Sequence, residues 1–166
     1  MIYEKDEKEK DDLVNNVVNR LKDVVHNYDN TVKNLVDDSI LKPERDLKND
    51  DLQNQIHDDI KNKDNVVRNV SKELRDLINN LTNKTPEVVR DLTNNLHNRI
   101  DQAEDNTNKV TDKVVENLRD QLVNEHKRPV KNWNAINTLQ NAITNHISHQ
   151  DQIKTSNQQR QVLNQQ

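Results

Sequence analysis

The chain has 166 residues, and its 25 Lys and Arg residues against 29 Asp and Glu residues give a net charge of -4. It contains no Gly and no Cys, which excludes glycine-loop phosphate sites, nucleophile elbows, disulfides and thiol chemistry. Asn, Asp and Gln make up over a third of the residues, whereas Trp and Tyr together number three. This composition favours a binding or structural protein over most classes of enzyme.

The N-terminal segment, residues 1–12, contains an unbroken run of charged side chains from Glu4 to Asp12. Such a run cannot support a hydrophobic core, so we expect this segment to be frayed. It lacks the apolar stretch of a secretory signal, which favours a cytoplasmic location. No apolar run in the chain is long enough to predict a transmembrane segment.

An eleven-residue apolar repeat begins at Leu13 and is clearest in the middle of the chain. Five blocks start at residues 66, 77, 88, 99 and 110, and we compare their first, second, fifth and ninth positions. Sixteen of these 20 positions are apolar, whereas only one of the other 35 positions is apolar. Because eleven residues fill three helical turns at about 3.67 residues per turn, the pattern predicts a helix with one narrow apolar stripe.

We assign the interaction surface of the protein to this stripe and to Trp133, which shares its phase. This predicted interaction stripe contains Val66, Val67, Val70, Leu74, Leu77, Ile78, Leu81, Val88, Val89, Leu92, Leu96, Ile100, Val110, Val114, Leu118 and Trp133.

Three prolines, Pro43, Pro86 and Pro129, are evenly spaced and divide the chain into four segments of roughly 40 residues. The stripe slips in register around Pro43, which favours a reversal of the chain there. It keeps its phase across Pro86 and Pro129, where the sequence is compatible with kinks and with turns. We therefore predict an all-α fold, an elongated helical bundle or coiled coil divided at the three prolines.

The C-terminal residues 154–166 are rich in Gln and contain only two apolar side chains, Val162 and Leu163. We expect this tail to be disordered, which leaves residues 13–153 as a single helical unit. Positive charge is concentrated towards this end of the chain, because residues 127–166 contain five Lys or Arg residues and one Asp.

No set of residues predicts catalysis, a metal site or a cofactor. His146 and His149 share a helical face, but no second pair has a comparable spacing, so we interpret them as surface histidines. His57 is followed by Asp58 and Asp59, and adjacent helical residues point apart, which predicts a solvated acidic face. The net negative charge and the few aromatic residues argue against binding of nucleic acid.

The apolar stripe requires a partner surface, because an isolated helix of this kind is marginal in water. The positions that flank the stripe are mostly small and neutral, whereas membrane-surface helices usually carry Lys or Arg there. We therefore favour helix-on-helix packing, with self-association or a helical partner, and interpret Trp133 as a core residue. A lipid surface, with Trp133 as its anchor, is the alternative.

Eleven-residue amphipathic repeats interrupted by proline are clearest in residues 86–92 (PEVVRDL) and 100–103 (IDQA). In this pattern, which covers residues 66 to about 147, the chain resembles the exchangeable apolipoproteins, the insect apolipophorins and the late-embryogenesis-abundant proteins. The resemblance implies reversible coating of lipid surfaces, or protection on drying. Because it lies in the pattern and not in matching residues, no functional residue is carried over. The residues themselves favour a non-enzymatic structural or scaffolding protein that acts through the stripe.

Overall fold

The computed structural model describes residues 2–36 and 50–165. Most of these residues belong to four α-helices: α1 Ile2–Val36, α2 Asp50–Asn79, α3 Pro86–Lys127 and α4 Trp133–Gln165. A short 3-10 helix, Leu81–Asn83, lies between α2 and α3, and no strand occurs in the two described ranges. The predicted all-α fold is confirmed. Pro43 and the reversal predicted around it lie outside the described residues.

Pro86 does not kink a continuous helix. It lies at the start of a new helix. α2 ends at Asn79, and Pro86 is the first residue of α3. Thr85 caps α3, because its hydroxyl Oγ1 accepts a hydrogen bond from the main-chain N–H of Val88 at 3.3 Å. Pro suits this first position because its φ angle is already helical and it has no N–H to leave unpaired.

Pro129 also lies between two helices and does not kink a continuous one. α3 ends at Lys127, and α4 begins only at Trp133. Asn132 caps α4, because its side-chain Oδ1 accepts a hydrogen bond from the N–H of Ala135 at 3.2 Å. The helix therefore stops and restarts here, so the phase of an apolar stripe cannot be extrapolated from α3 to α4.

Two ion pairs show the relative direction of α1 and α3. Glu9 of α1 pairs with Arg90 of α3, and Arg20 of α1 pairs with Asp101 of α3. Both pairs join residues that are 81 positions apart in the chain. A constant offset means that α1 and α3 run parallel and in register over this length.

The chain divides into two compact units, where the sequence analysis expected one unit over residues 13–153. Of the described residues, the first unit contains 2–30 and 59–105, and the second contains 31–36, 50–58 and 106–165. α1, α2 and α3 therefore each contribute to both units. α3 has 42 residues, which corresponds to a length of about 60 Å at 1.5 Å per residue, more than one small packed core can cover.

The charged N-terminal segment, expected to be frayed, is helical and belongs to α1. Lys10 within it is buried, and its ammonium donates hydrogen bonds to the carbonyl oxygens of Leu81 at 3.1 Å and Lys84 at 3.0 Å. It also pairs with Glu7 at 2.7 Å. Lys10 thus satisfies carbonyl groups of the α2–α3 connection, and these partners lie too far along the chain for a local pattern to reveal.

Buried side chains recur along α1 and α2 in alternating steps of four and three residues, a seven-residue spacing. On α1 they are Lys10, Val14, Val17, Leu21 and Val24. On α2 they are Leu52, Ile56, Asp59, Lys63, Val70, Leu74 and Leu77, with steps of four, three, four, seven, four and three residues. This spacing is typical of helices that pack along each other through one seam. Because some members of this seam are charged, the pattern of apolar residues in the sequence does not reveal it.

α3 follows the same spacing with one insertion. Its buried series is Val89, Thr93, Leu96, Ile100, Ala103 and Thr107, followed by Thr111, Val114, Leu118 and Gln121. The steps from Ala103 to Thr107 and from Thr107 to Thr111 are both four residues long. Together with the next step of three, they span eleven residues in place of seven, an irregularity called a stutter. The buried hydroxyl of Thr111 donates to the carbonyl oxygen of Thr107 at 2.8 Å, so the helix itself satisfies this polar group.

α4 continues to Gln165, so residues 154–165, expected to be a disordered tail, are helical. Its buried side chains include Ile136, His146 and Gln150. The Nε2 amide of Gln150 donates to the carbonyl oxygen of Asn108 and to the carboxylate of Asp112, each at 2.9 Å. Polar side chains therefore take part in the packing of α4 against α3.

Candidate functional site

The structure buries only part of the predicted interaction stripe. Eight members are buried: Val70, Leu74, Leu77, Val89, Leu96, Ile100, Val114 and Leu118. Val66, Val67, Leu81 and Val110 are partly buried. The remaining four, Ile78, Val88, Leu92 and Trp133, are exposed, so the described helices of one chain leave these members of the stripe uncovered.

The buried face of the first half of α3 is rotated relative to the predicted stripe. Thr93 and Glu104, which lie beside the predicted interaction stripe on α3, are buried, whereas Leu92, a member of the stripe, is exposed. The reason is that α1 covers this flank, since Arg20 of α1 contacts Glu104 and the carbonyl oxygen of His97. A single helix cannot show which of its flanks a second neighbour will cover.

The interpretation of Trp133 as a core residue is also wrong. It rested on continuing the phase of the stripe across Pro129, but α3 ends before this proline. Trp133 is the first residue of α4 and follows exposed residues, so its ring faces solvent. The ammonium of Lys131 lies 5.7 Å from the centroid of this ring, within the range of a cation–π contact.

Arg20 is the centre of a buried group of charges between α1 and α3. Its Nη1 donates to the carbonyl oxygen of His97 at 2.9 Å and lies 3.2 Å from Nδ1 of the same residue. Its Nη2 pairs with Asp101, and with Oε2 of Glu104 at 3.4 Å. Because a guanidinium only donates hydrogen bonds, we assign Nδ1 of His97 as the acceptor.

Lys63 of α2 interacts with the same group of charges. Burial lowers the pKa of Lys63 below its ordinary value of 10.5, while the negative charges of Glu104 and Asp59 act in the opposite direction. Glu104 therefore interacts with a cation from α1 and with a cation from α2. We call the whole group the charge cluster, and it contains Arg20, Asp59, Lys63, His97, Asp101 and Glu104.

We interpret the charge cluster as a device that determines which helices pair and in which register. The carboxylates of Asp101 and Glu104 on α3 interact with cations from α1 and α2, whereas Asp59 interacts with Lys63 of its own helix. A shift of α1 along α3 breaks some of these contacts at once, and a buried charge that loses its partner is energetically costly. The sequence signal that could have revealed this cluster is the series Ile56, Lys63, Val70, in which seven-residue spacing passes through a charged residue.

Two other polar residues differ from their predicted environments. His146 is buried on α4, so its interpretation as a surface histidine is wrong. Asp59 is buried on α2, whereas its neighbours His57 and Asp58 are exposed, so a solvated acidic face describes only part of this segment. Across residues 2–36 and 50–165, no group of three or more His, Cys, Asp or Glu side chains is arranged to hold a metal ion.

An open apolar groove lies between α1 and α2 in the first unit, with a volume of about 670 Å³. Its lining residues are Val18, Leu21, Lys22, Val25, His26, Val67, Ser71, Leu74, Arg75 and Ile78. Val25 and Ile78 are exposed at its surface. The charged residues of this lining, Lys22 and Arg75, are both basic. We call this surface the α1–α2 groove.

A second groove, with a volume of about 470 Å³, lies between α2 and α3 in the same unit. Its lining residues are Glu73, Asp76, Leu77, Asn80, Lys84, Leu92, Asn95 and Leu96. Two carboxylates and one ammonium are present, and Arg99 beside this surface pairs with Glu73, so the charges balance. We call it the α2–α3 groove. The α1–α2 groove is therefore basic, whereas the charges at the α2–α3 groove balance.

None of the helices in the described ranges combines the length and the apolar character that crossing a bilayer requires. Comparison with known proteins adds no further constraint, because no family model, no curated protein and no solved structure matches the chain.

Proposed function

We propose that this chain is a non-enzymatic structural protein that self-associates through exposed apolar surfaces of its helical bundle. The observation that carries the proposal is the α1–α2 groove, which leaves Val25 and Ile78 exposed between two packed helices. Exposed apolar surface of this kind gains free energy when it is covered. The partner we infer is a second copy of the chain.

The first two turns of α3 provide a surface that complements this groove. Val88 and Leu92 are exposed on successive turns, and Glu87 and Asp91 beside them are exposed as well. A ridge of two aliphatic side chains can pack between two helices, as ridges pack into grooves within helical proteins. The acidic flank of the ridge matches the Lys22 and Arg75 side chains of the groove in a second copy.

The groove and the ridge are different surfaces, so the contact is head-to-tail. Each copy offers its α1–α2 groove to one neighbour and the start of its α3 to another. Contacts of this type generate rings when the rotation between copies closes, and open filaments when it does not. A scaffolding role follows directly from such growth.

Sedimentation equilibrium of the full chain tests the proposal. We expect the weight-average mass to rise above the 19.5 kDa of one chain as the protein concentration increases. We also expect the association to weaken with added salt, because salt screens the complementary charges. A mass of one chain at every concentration and at low salt contradicts self-association.

The lipid coating and the protection on drying that the resemblance implies are not favoured by the packing. Coating by whole helices requires the apolar face of each helix to be available for lipid. Half of the predicted interaction stripe is buried against neighbouring helices, so this face becomes available only when the bundle opens.

A further inference from the structure

The connection between α3 and α4 carries the two most exposed large apolar side chains in the described part of the chain. Val130 is 85% exposed and Trp133 is 60% exposed. All residues from 129 to 134 are exposed. The packing of the bundle does not explain two apolar side chains at this position, since none of the four described helices covers either of them.

Positive charge is concentrated at the same place. Lys127, Arg128 and Lys131 lie within this short segment, whereas the chain as a whole has a net charge of -4. Arg128 retains a long contact of 3.4 Å to Glu125, which is the nearest acidic residue in the sequence. The contact between Lys131 and the Trp133 ring brings an ammonium and an apolar ring to the same point of the surface.

We propose that residues 127–133, which we call the basic tip, bind to an anionic lipid surface. Trp is favoured at the level of lipid headgroups because its ring is apolar and its N–H can remain hydrated. Lys and Arg side chains beside it are attracted to anionic lipid phosphates, by about fivefold in affinity for each cation. Val130 enters the same interfacial layer.

A lipid surface fits the basic tip better than nucleic acid or a protein. Three cations and one aromatic ring are too few for a surface that follows a phosphate backbone in a chain of net negative charge. A protein partner needs a shaped pocket for two side chains that project from an exposed turn. A lipid surface accepts both side chains and the surrounding cations at once. This binding is independent of the self-association proposed above.

The fluorescence of the full chain tests the proposal directly, because Trp133 is its only Trp. Vesicles of phosphatidylcholine with phosphatidylserine are expected to shift the emission to shorter wavelength and to carry the protein into the vesicle pellet. Pure phosphatidylcholine vesicles are expected to do neither. An unchanged emission with the anionic vesicles, or an equal shift with a short single-stranded DNA, overturns the lipid assignment.

Matched variants separate the basic tip from overall charge. Replacing Lys127, Arg128 and Lys131 together by Gln is expected to weaken vesicle binding more than tenfold, as is Val130→Asp at an exposed position where folding is not affected. The control replaces three exposed cations elsewhere on α3 by Gln: Lys109, Lys113 and Arg119. An equal loss in both triple variants shows nonspecific attraction and contradicts a site at the tip. The variant Ile78→Lys, which alters the α1–α2 groove, is expected to bind vesicles as the unmodified chain does.

Discussion

The guanidinium of Arg20 on α1 donates a hydrogen bond to the carbonyl oxygen of His97 on α3 at 2.9 Å, across 77 positions of the chain. The same guanidinium pairs with Asp101 and Glu104, one and two turns further along α3. One side chain therefore joins two parallel helices over two turns of α3, and we infer that it favours the observed register. The partners of Arg20 lie on a side of α3 that is outside the predicted interaction stripe.

Arg20→Met is expected to destabilise the protein by about 3 kcal/mol, because it removes one partner of a buried charge network and leaves carboxylates uncompensated. The matched control is Arg90→Met, which breaks the exposed pair with Glu9 between the same two helices and is expected to cost less than about 1 kcal/mol. Urea unfolding followed by circular dichroism measures both. Equal losses contradict the assignment of a register-determining role to Arg20.

Lys63 gives the stability a specific pH dependence. Burial lowers the pKa of Lys63 in the fold, so between that pKa and the ordinary 10.5 the unfolded chain binds more protons than the folded chain. The free energy of unfolding therefore rises with pH through this window, as the cost of burying the charge is relieved. Below the window the full cost remains.

The variant Lys63→Met isolates this contribution, because the other titrating groups are shared by both proteins. Urea unfolding from neutral pH to 10.5 is expected to show the unmodified chain gaining stability relative to the variant as the pH rises. Parallel curves for the two proteins contradict a lowered pKa for Lys63.

Leu96→Ala and Leu92→Ala make the same chemical change on successive turns of α3. Leu96 is 3% exposed and Leu92 is 40% exposed. We expect Leu96→Ala to cost about 3 kcal/mol, as for a buried leucine, and Leu92→Ala to cost about 1 kcal/mol or less because less apolar area is removed from the interior. Thermal unfolding distinguishes them, and the reverse order shows that the buried face of α3 is misplaced.

Ile78→Lys is expected to abolish self-association, because it places a charge in the α1–α2 groove where a second copy docks. Its control is Val123→Lys on α3, since Ile78 and Val123 are each 49% exposed and only Ile78 lines the groove. Sedimentation equilibrium is expected to give the mass of one chain for Ile78→Lys and an unchanged association for Val123→Lys. Loss of association in both variants points to added charge as the cause and rejects the groove as the docking site.

The helical character of the chain and the helix start at Pro86 were predictable from the sequence because they depend on neighbours within a few residues. The spacing of apolar residues shows the period of a helix, and Thr85 followed by Pro86 supplies a cap and a first position locally. The eight buried members of the predicted interaction stripe were found for the same reason.

The tertiary structure alone decided which flank of each helix is covered and which polar side chains are buried. Arg20, Lys63 and Glu104 come together from three helices, and their partners are distant in the chain, so no local pattern contains them. Trp133 is exposed although the sequence predicted that it is buried. The prediction continued the apolar stripe of α3 past Pro129, but α3 ends before this proline. Spacing along a helix is a local property, whereas burial depends on the neighbouring helices, and these are brought into place only when the chain folds.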